Sequence, residues 1–148
     1  MNKCLLILFV ILNISVSAQE RINFIIEVND ELLESGVTNA QIQIGSKSYF
    51  ADYNPGELLL TDSLYSWIMS DSLEFRIKFD FYDHSKRTTE VLNVSCPLSW
   101  FTLSQPYQIL KVYNLTDNKY RRWYGHLTKE DFICEVRFPN SGILIRNK

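Results

Sequence analysis

Between positions 73 and 81 the chain alternates strictly, with Leu73, Phe75, Ile77, Phe79 and Phe81 apolar and Glu74, Arg76, Lys78 and Asp80 charged between them. A period of two puts one set on a buried face and the other in water, which predicts an antiparallel-type strand. The rhythm recurs at Ile22, Phe24, Ile26 and Val28, and at Ala40, Ile42 and Ile44. Further runs with strand-like content lie at 48–51, 57–60, 88–94, 107–115, 120–124, 132–138 and 143–146. One segment departs from the pattern. Leu64, Trp67 and Ile68 fall at helical spacing behind Asp62 and Ser63, either of which suits an N-cap, and predict a short helix near 62–69 with a strand as the alternative. Turn chemistry separates the runs at Asn54, Pro55 and Gly56, at 139–142, and in a longer connection over 82–86 that carries Asp83 and His84.

About seven to ten short strands without an internal repeat or a linker predict an all-β domain, an antiparallel Ig-like or prealbumin-like β-sandwich. The first eighteen residues read differently. Lys3, an apolar run from Leu5 to Ile14, and small residues ending at Ala18 form the pattern of a secretory signal helix, with cleavage expected before Gln19. The run is shorter than the roughly 18 to 20 residues that cross a bilayer, and nothing later is apolar for as long, so no stable membrane span is expected after cleavage. Cys4 lies ahead of the apolar run, which disfavours lipid attachment. The remainder, 19–148, fits one domain with a single core. The expected location is periplasmic or extracellular.

Fifteen basic and seventeen acidic residues give a formal net charge of −2, one more negative once Lys3 leaves with the signal, and this acidic balance argues against nucleic acid as a partner. Cys96 and Cys134 remain after cleavage, and an oxidising exterior would let them pair across a loop of about 40 residues, the alternative being two buried thiols. Cys134 alternates with Phe132, Val136 and Phe138 on one face.

The run Gly36, Val37, Thr38, Asn39, Ala40, Gln41, Ile42, Gln43, Ile44 resembles the turn and alanine-led strand of carboxypeptidase-regulatory-like and transthyretin-like domains. Gly56 to Leu60 is similar to the glycine-led second strand of that family, and the alternating run from Leu73 to Tyr82 to its long following strand. The resemblance covers about residues 24–82 and implies a prealbumin-like sandwich, an accessory or adhesion module of exported bacterial proteins, with no catalytic residues. Asp52, Tyr53, Asn54 and Pro55 stand where the family usually has threonine and aspartate before its turn glycine.

Candidate chemistry is sparse. His84 with Asp80 and Asp83 could share a cation for metal-assisted hydrolysis, against the simpler reading of a solvated hairpin tip. Asp52, Asn54 and Glu57 offer oxygen donors around Gly56, although Pro55 and the lack of later ligands favour an ordinary turn over calcium. His126, near Thr128, Glu130 and Asp131, fits a short turn. No nucleophile elbow, phosphate loop or thiolate zinc set occurs, so neither cofactor nor metal is expected. Sequons stand at Asn93 with Ser95 and Asn114 with Thr116.

The segment Lys119, Tyr120, Arg121, Arg122, Trp123, Tyr124 crowds aromatics and cations into one predicted strand. Such groups recognise sugars, peptides and anions, because rings bury large area at small entropic cost and guanidinium adds forked donors. The alternative is ordinary amphipathic packing, in which alternation places Trp123 in the core while Arg122 and the tyrosines cover an outer face. Trp100 and Phe101 read as plugs for a sandwich end. The sequence therefore points to a non-enzymatic binding or accessory module that meets a protein or glycan through Tyr120, Arg122, Trp123 and Tyr124. Alternatives are an inhibitor or immunity protein that blocks one enzyme, a structural subunit joined by strand addition, and the metal-assisted hydrolase.

Overall fold

The computed structural model describes residues 18–33, 36–83 and 90–141. Residues 1–17 of the segment expected to be a signal, His84 and the strand expected at 143–146 lie outside these residues.

Two sheets face each other across one core, the architecture of an all-β sandwich. In the larger sheet β1 (Gln19–Val28) is central. On one side it pairs antiparallel with β6 (Gly56–Thr61), which continues to β5 (Asp52–Asn54). On the other it pairs with β9 (Gln108–Asn114), which continues to β10 (Phe132–Arg137), and the two-residue β2 (Glu31–Leu32) folds back on its end. The smaller sheet runs β4 (Lys47–Phe50), β3 (Val37–Ile44), β7 (Glu74–Asp83), β8 (Glu90–Ser99), all antiparallel. Phe24, Ile26, Leu58, Leu60, Leu110 and Val112 from the larger sheet meet Ile42, Phe75, Ile77, Phe79, Val94 and Leu98 from the smaller. This is the alternation read from the sequence.

One pairing breaks the antiparallel expectation. β1 and β9 run parallel, from Phe24 opposite Gln108 to Val28 opposite Val112. Parallel neighbours need a crossover rather than a hairpin, and here the chain leaves β1 and reaches β9 only after passing through the other sheet. The inward alternation of a strand is the same in either direction, so the pattern could not distinguish them.

The expected helix forms as α1 (Asp62–Ser70) and inserts Leu64 and Ile68 into the core. Its cap is Thr61, whose hydroxyl accepts from the Leu64 amide at 3.4 Å, one residue before the caps expected. A single turn, α2 (Trp100–Leu103), follows β8; Trp100 packs against the core as an end plug, while Phe101 stays exposed with its ring 5.6 Å from that of Phe138.

Cys96 on β8 and Cys134 on β10 sit at disulfide-bonding distance, with Cα atoms 5.9 Å apart. These strands are the edges of the two sheets, so the link joins the layers along one side of the sandwich. Replacing both cysteines with alanine should lower unfolding free energy by about 2–4 kcal/mol, read by chemical denaturation.

Gln108 is fully buried at the start of β9, and neither polar atom of its side-chain amide has a hydrogen-bond partner among the described residues. An unpaired buried amide costs about 1–3 kcal/mol, so Gln108→Met should raise stability by about 1–2 kcal/mol in the same denaturation series.

Candidate functional site

The aromatic and cationic segment is a helix, α3 (Asn118–Tyr124), and not the strand expected at 120–124. The reason is burial. In a strand Tyr120, Arg122 and Tyr124 would share a face, forcing a guanidinium to go wherever the tyrosines go. One helical turn separates Tyr120 from Tyr124 instead, which lets both approach the sheet while Arg121 and Arg122 stay exposed. Asp117 caps the turn, its carboxylate accepting from the Lys119 amide at 2.8 Å. Gly125 closes it, donating its amide to the Arg121 carbonyl at 2.9 Å; a Cβ at this position would lie 2.5 Å from that oxygen.

The platform beneath the helix begins with Asn29 and Asp30 between β1 and β2. Both have positive φ, 55° and 67°, and Val28 pairs with Glu31 across them, as in a type I′ hairpin turn. Asn29 donates its amide to the Val112 carbonyl at 2.9 Å, and its side-chain oxygen accepts from the Asn114 amide at 2.9 Å. The Tyr120 hydroxyl donates to the Asn29 carbonyl at 2.7 Å, lies 3.2 Å from Asp30 Oδ2, and accepts from Lys119 Nζ at 3.1 Å. Asp30 Oδ1 stands 2.7 Å from Lys111 Nζ and 3.4 Å from the Tyr113 hydroxyl, and Lys111 reaches Glu27 at 3.2 Å. The Lys111 hydrogen bond holds the Asp30 carboxyl below its usual range, with Tyr120 adding to the effect. Asp30 in turn raises the Lys111 ammonium, and burial pushes the Tyr113 phenol up. The raised value keeps the Tyr113 phenol protonated, so its hydroxyl stands as a donor toward Asp30.

The rings form a second layer of contacts. Tyr113 stacks on Tyr124 at 4.7 Å and on Tyr120 at 5.4 Å, both at 28°. Trp123 stands edge-on to Tyr120 at 5.9 Å and to Tyr124 at 6.4 Å, and Lys119 Nζ lies 5.3 Å from its ring centroid. Trp123 remains 52% exposed, whereas Tyr120 is 2% exposed.

The four residues expected to make contact are thus near one another in space but unlike in role. Trp123 and Arg122 are exposed, Tyr124 is half-buried, and Tyr120 anchors the helix from below. The core assignment that alternation gave Trp123 belongs to Tyr120. Sequence reasoning missed Asn29, Asp30, Lys111 and Tyr113. An Asn-Asp pair between apolar runs was an available signal for the turn; nothing in the sequence signalled the pairing of Lys111 with Asp30.

The other candidates lie apart. Asp80 accepts from Asn39 Nδ2 at 2.7 Å on the outer face of the smaller sheet, Asp83 ends β7, and His84 is outside the described residues. Asn54 pairs with Glu57 across the β5–β6 turn, and Glu57 stands 3.7 Å from Arg21. Among the described residues no group of three or more histidine, cysteine, aspartate or glutamate side chains is placed to hold a metal ion. Thr128 accepts from the Glu130 amide at 3.0 Å in the turn after His126. Asn93 is exposed, but Asn114 is buried with its side-chain oxygen accepting from the Thr116 amide, so the two sequons differ in accessibility.

No family model, no curated protein and no solved structure matches this chain.

The depressed Asp30 carboxyl fixes the sign of a pH effect. Its contribution is present above the unfolded value near 4 and is lost as pH falls through the folded value. Acidification should therefore loosen α3, reducing the near-ultraviolet circular dichroism of the tyrosine stack. Asp30→Asn should remove that component of the pH profile and leave a weaker tyrosine signal at neutral pH.

Proposed function

We propose that this chain is an exported, non-enzymatic binding or accessory module that recognises a protein or glycan through α3. The observation that carries the reading is Trp123: half-exposed, yet held edge-on by Tyr120 and Tyr124 with an ammonium at its face. An exposed indole already fixed in place loses little freedom on binding, so its area is available to a partner at low entropic cost. Arg122 and the exposed part of Tyr124 are the other contact groups, and Tyr120 supports them from beneath.

Export rests on the leader pattern, and the Cys96–Cys134 pair suits the oxidising compartment it leads to. The expectation of a prealbumin-like domain remains part of this proposal, carried by β3, β6 and β7, where the similar residues lie.

A structural role by strand addition is the second reading, favoured by one observation. β8 is a ten-residue edge strand that pairs only with β7 among the described residues. Pro97 interrupts its donors, as befits an edge guarded against indiscriminate pairing.

Bait experiments with envelope proteins and glycans should capture a specific partner, and Trp123→Ala should weaken that capture by about tenfold or more while circular dichroism stays native. Capture unchanged by Trp123→Ala overturns α3 as the contact face.

A further inference from the structure

From Asn118 to Lys129 the chain carries Lys119, Arg121, Arg122 and Lys129 and no carboxylate, in a protein of net negative charge. Helical geometry distributes these cations around α3. Lys119 and Trp123 stand one turn apart on one flank, in cation–π contact. Arg121 lies on the opposite flank, where it lines a cavity of about 440 Å³ with Thr128, Lys129, Glu130 and Asp131. Arg122 occupies the crest, facing away from Tyr120. Lys119 is already engaged by the Tyr120 hydroxyl, but Arg121 and Arg122 make no side-chain hydrogen bond or ion pair with any described residue. Their place in the last turn of α3 accounts for part of this, since cations there oppose the helix dipole. Dipole compensation asks for charge alone; it does not ask for an exposed indole beside it.

We propose that the α3 ridge binds an anionic polysaccharide, a chain bearing carboxylate or sulfate groups. This rests on α3 being the contact face and names the ligand that face takes. Charge complementarity argues for the anion, because two unpaired guanidinium forks match the planar oxygens of carboxylate or sulfate. The spread of the cations argues for a polymer: a small anion meets one flank, whereas a chain laid across the ridge meets Lys119, Arg122 and Arg121 in succession. Trp123 argues for sugar, since its exposed face offers the flat apolar surface on which the C–H face of a pyranose rests. A protein partner fits less well. Standard interfaces cover about 800 Å² per partner around an apolar centre, and the large exposed apolar side chains here are Trp123 and Leu127.

The test is calorimetric titration of the purified protein with polygalacturonate, dextran sulfate, neutral dextran and poly-glutamate. Binding to polygalacturonate or to dextran sulfate is expected, with the two arms telling carboxylate from sulfate. Affinity should fall as salt is raised, and neutral dextran should not bind. Arg121→Gln combined with Arg122→Gln should weaken binding about tenfold or more, with Trp123 and native circular dichroism retained. Binding to neither anionic glycan overturns the proposal, as does equal or tighter binding to poly-glutamate, which would make the ligand an acidic polypeptide. A partner whose capture depends on Trp123 but is indifferent to salt and to both arginines overturns the anionic glycan while leaving the contact face intact. A partner indifferent to Trp123 overturns the contact face itself.

Discussion

The two-residue turn at Asn29 and Asp30 is the joint on which the α3 end of the larger sheet depends. It ends β1, starts β2, and offers one backbone amide, one backbone carbonyl and two side chains to groups that arrive more than eighty residues later. β9 needs it because a parallel partner has no hairpin to set its register, and the Val112 and Asn114 bonds to Asn29 fix that register at its end. α3 needs it because a seven-residue helix is too short to hold itself in water. The positive φ of both residues is tolerated by Asn and Asp and strained for most others, so this joint is restricted in sequence as well as in geometry.

Electrostatics and packing act together there. Lys111 is mostly shielded from solvent within β9, and an ammonium in that position requires carboxylates close by. Glu27 on the neighbouring strand and Asp30 in the turn provide them, and Asp30 in turn orders the hydroxyls of Tyr113 and Tyr120. A charge placed for strand pairing thus also positions the aromatic stack.

Much of the framework was legible in the sequence, because period-two alternation reports burial directly. The strands around Phe24, Ile42, Ile77 and Val136 follow from it, and the helical spacing of Leu64, Trp67 and Ile68 marks the helix that buries Leu64 and Ile68. Cys134 on the inward face anticipated its approach to Cys96. What alternation does not encode is direction, so the parallel β1–β9 pair was hidden. It also misreads short segments: five residues with aromatics at the first, fourth and fifth positions do not distinguish a strand from a helix. Tyr120, expected at the surface, consequently takes the core position that the amphipathic alternative offered Trp123. Asp30 and Lys111 were invisible because their meeting is a product of topology.

The burial of Tyr120 in place of Trp123 bears on how a surface tryptophan can be kept without destabilising the domain. Tyr120 buries its ring and satisfies its hydroxyl, so α3 is anchored by a residue that has no need to face solvent. Trp123 is then released from any packing duty beyond its edge contacts. Those contacts, with the Lys119 ammonium at its face, restrict the indole to a narrow set of orientations while leaving half of it exposed. A free surface tryptophan would lose rotameric freedom on binding, by about 0.5–1.5 kcal/mol for an immobilised side chain. Here the edge contacts with Tyr120 and Tyr124 supply part of that restriction before any partner arrives, and the Asn29–Asp30 turn, through Tyr120, is where it originates.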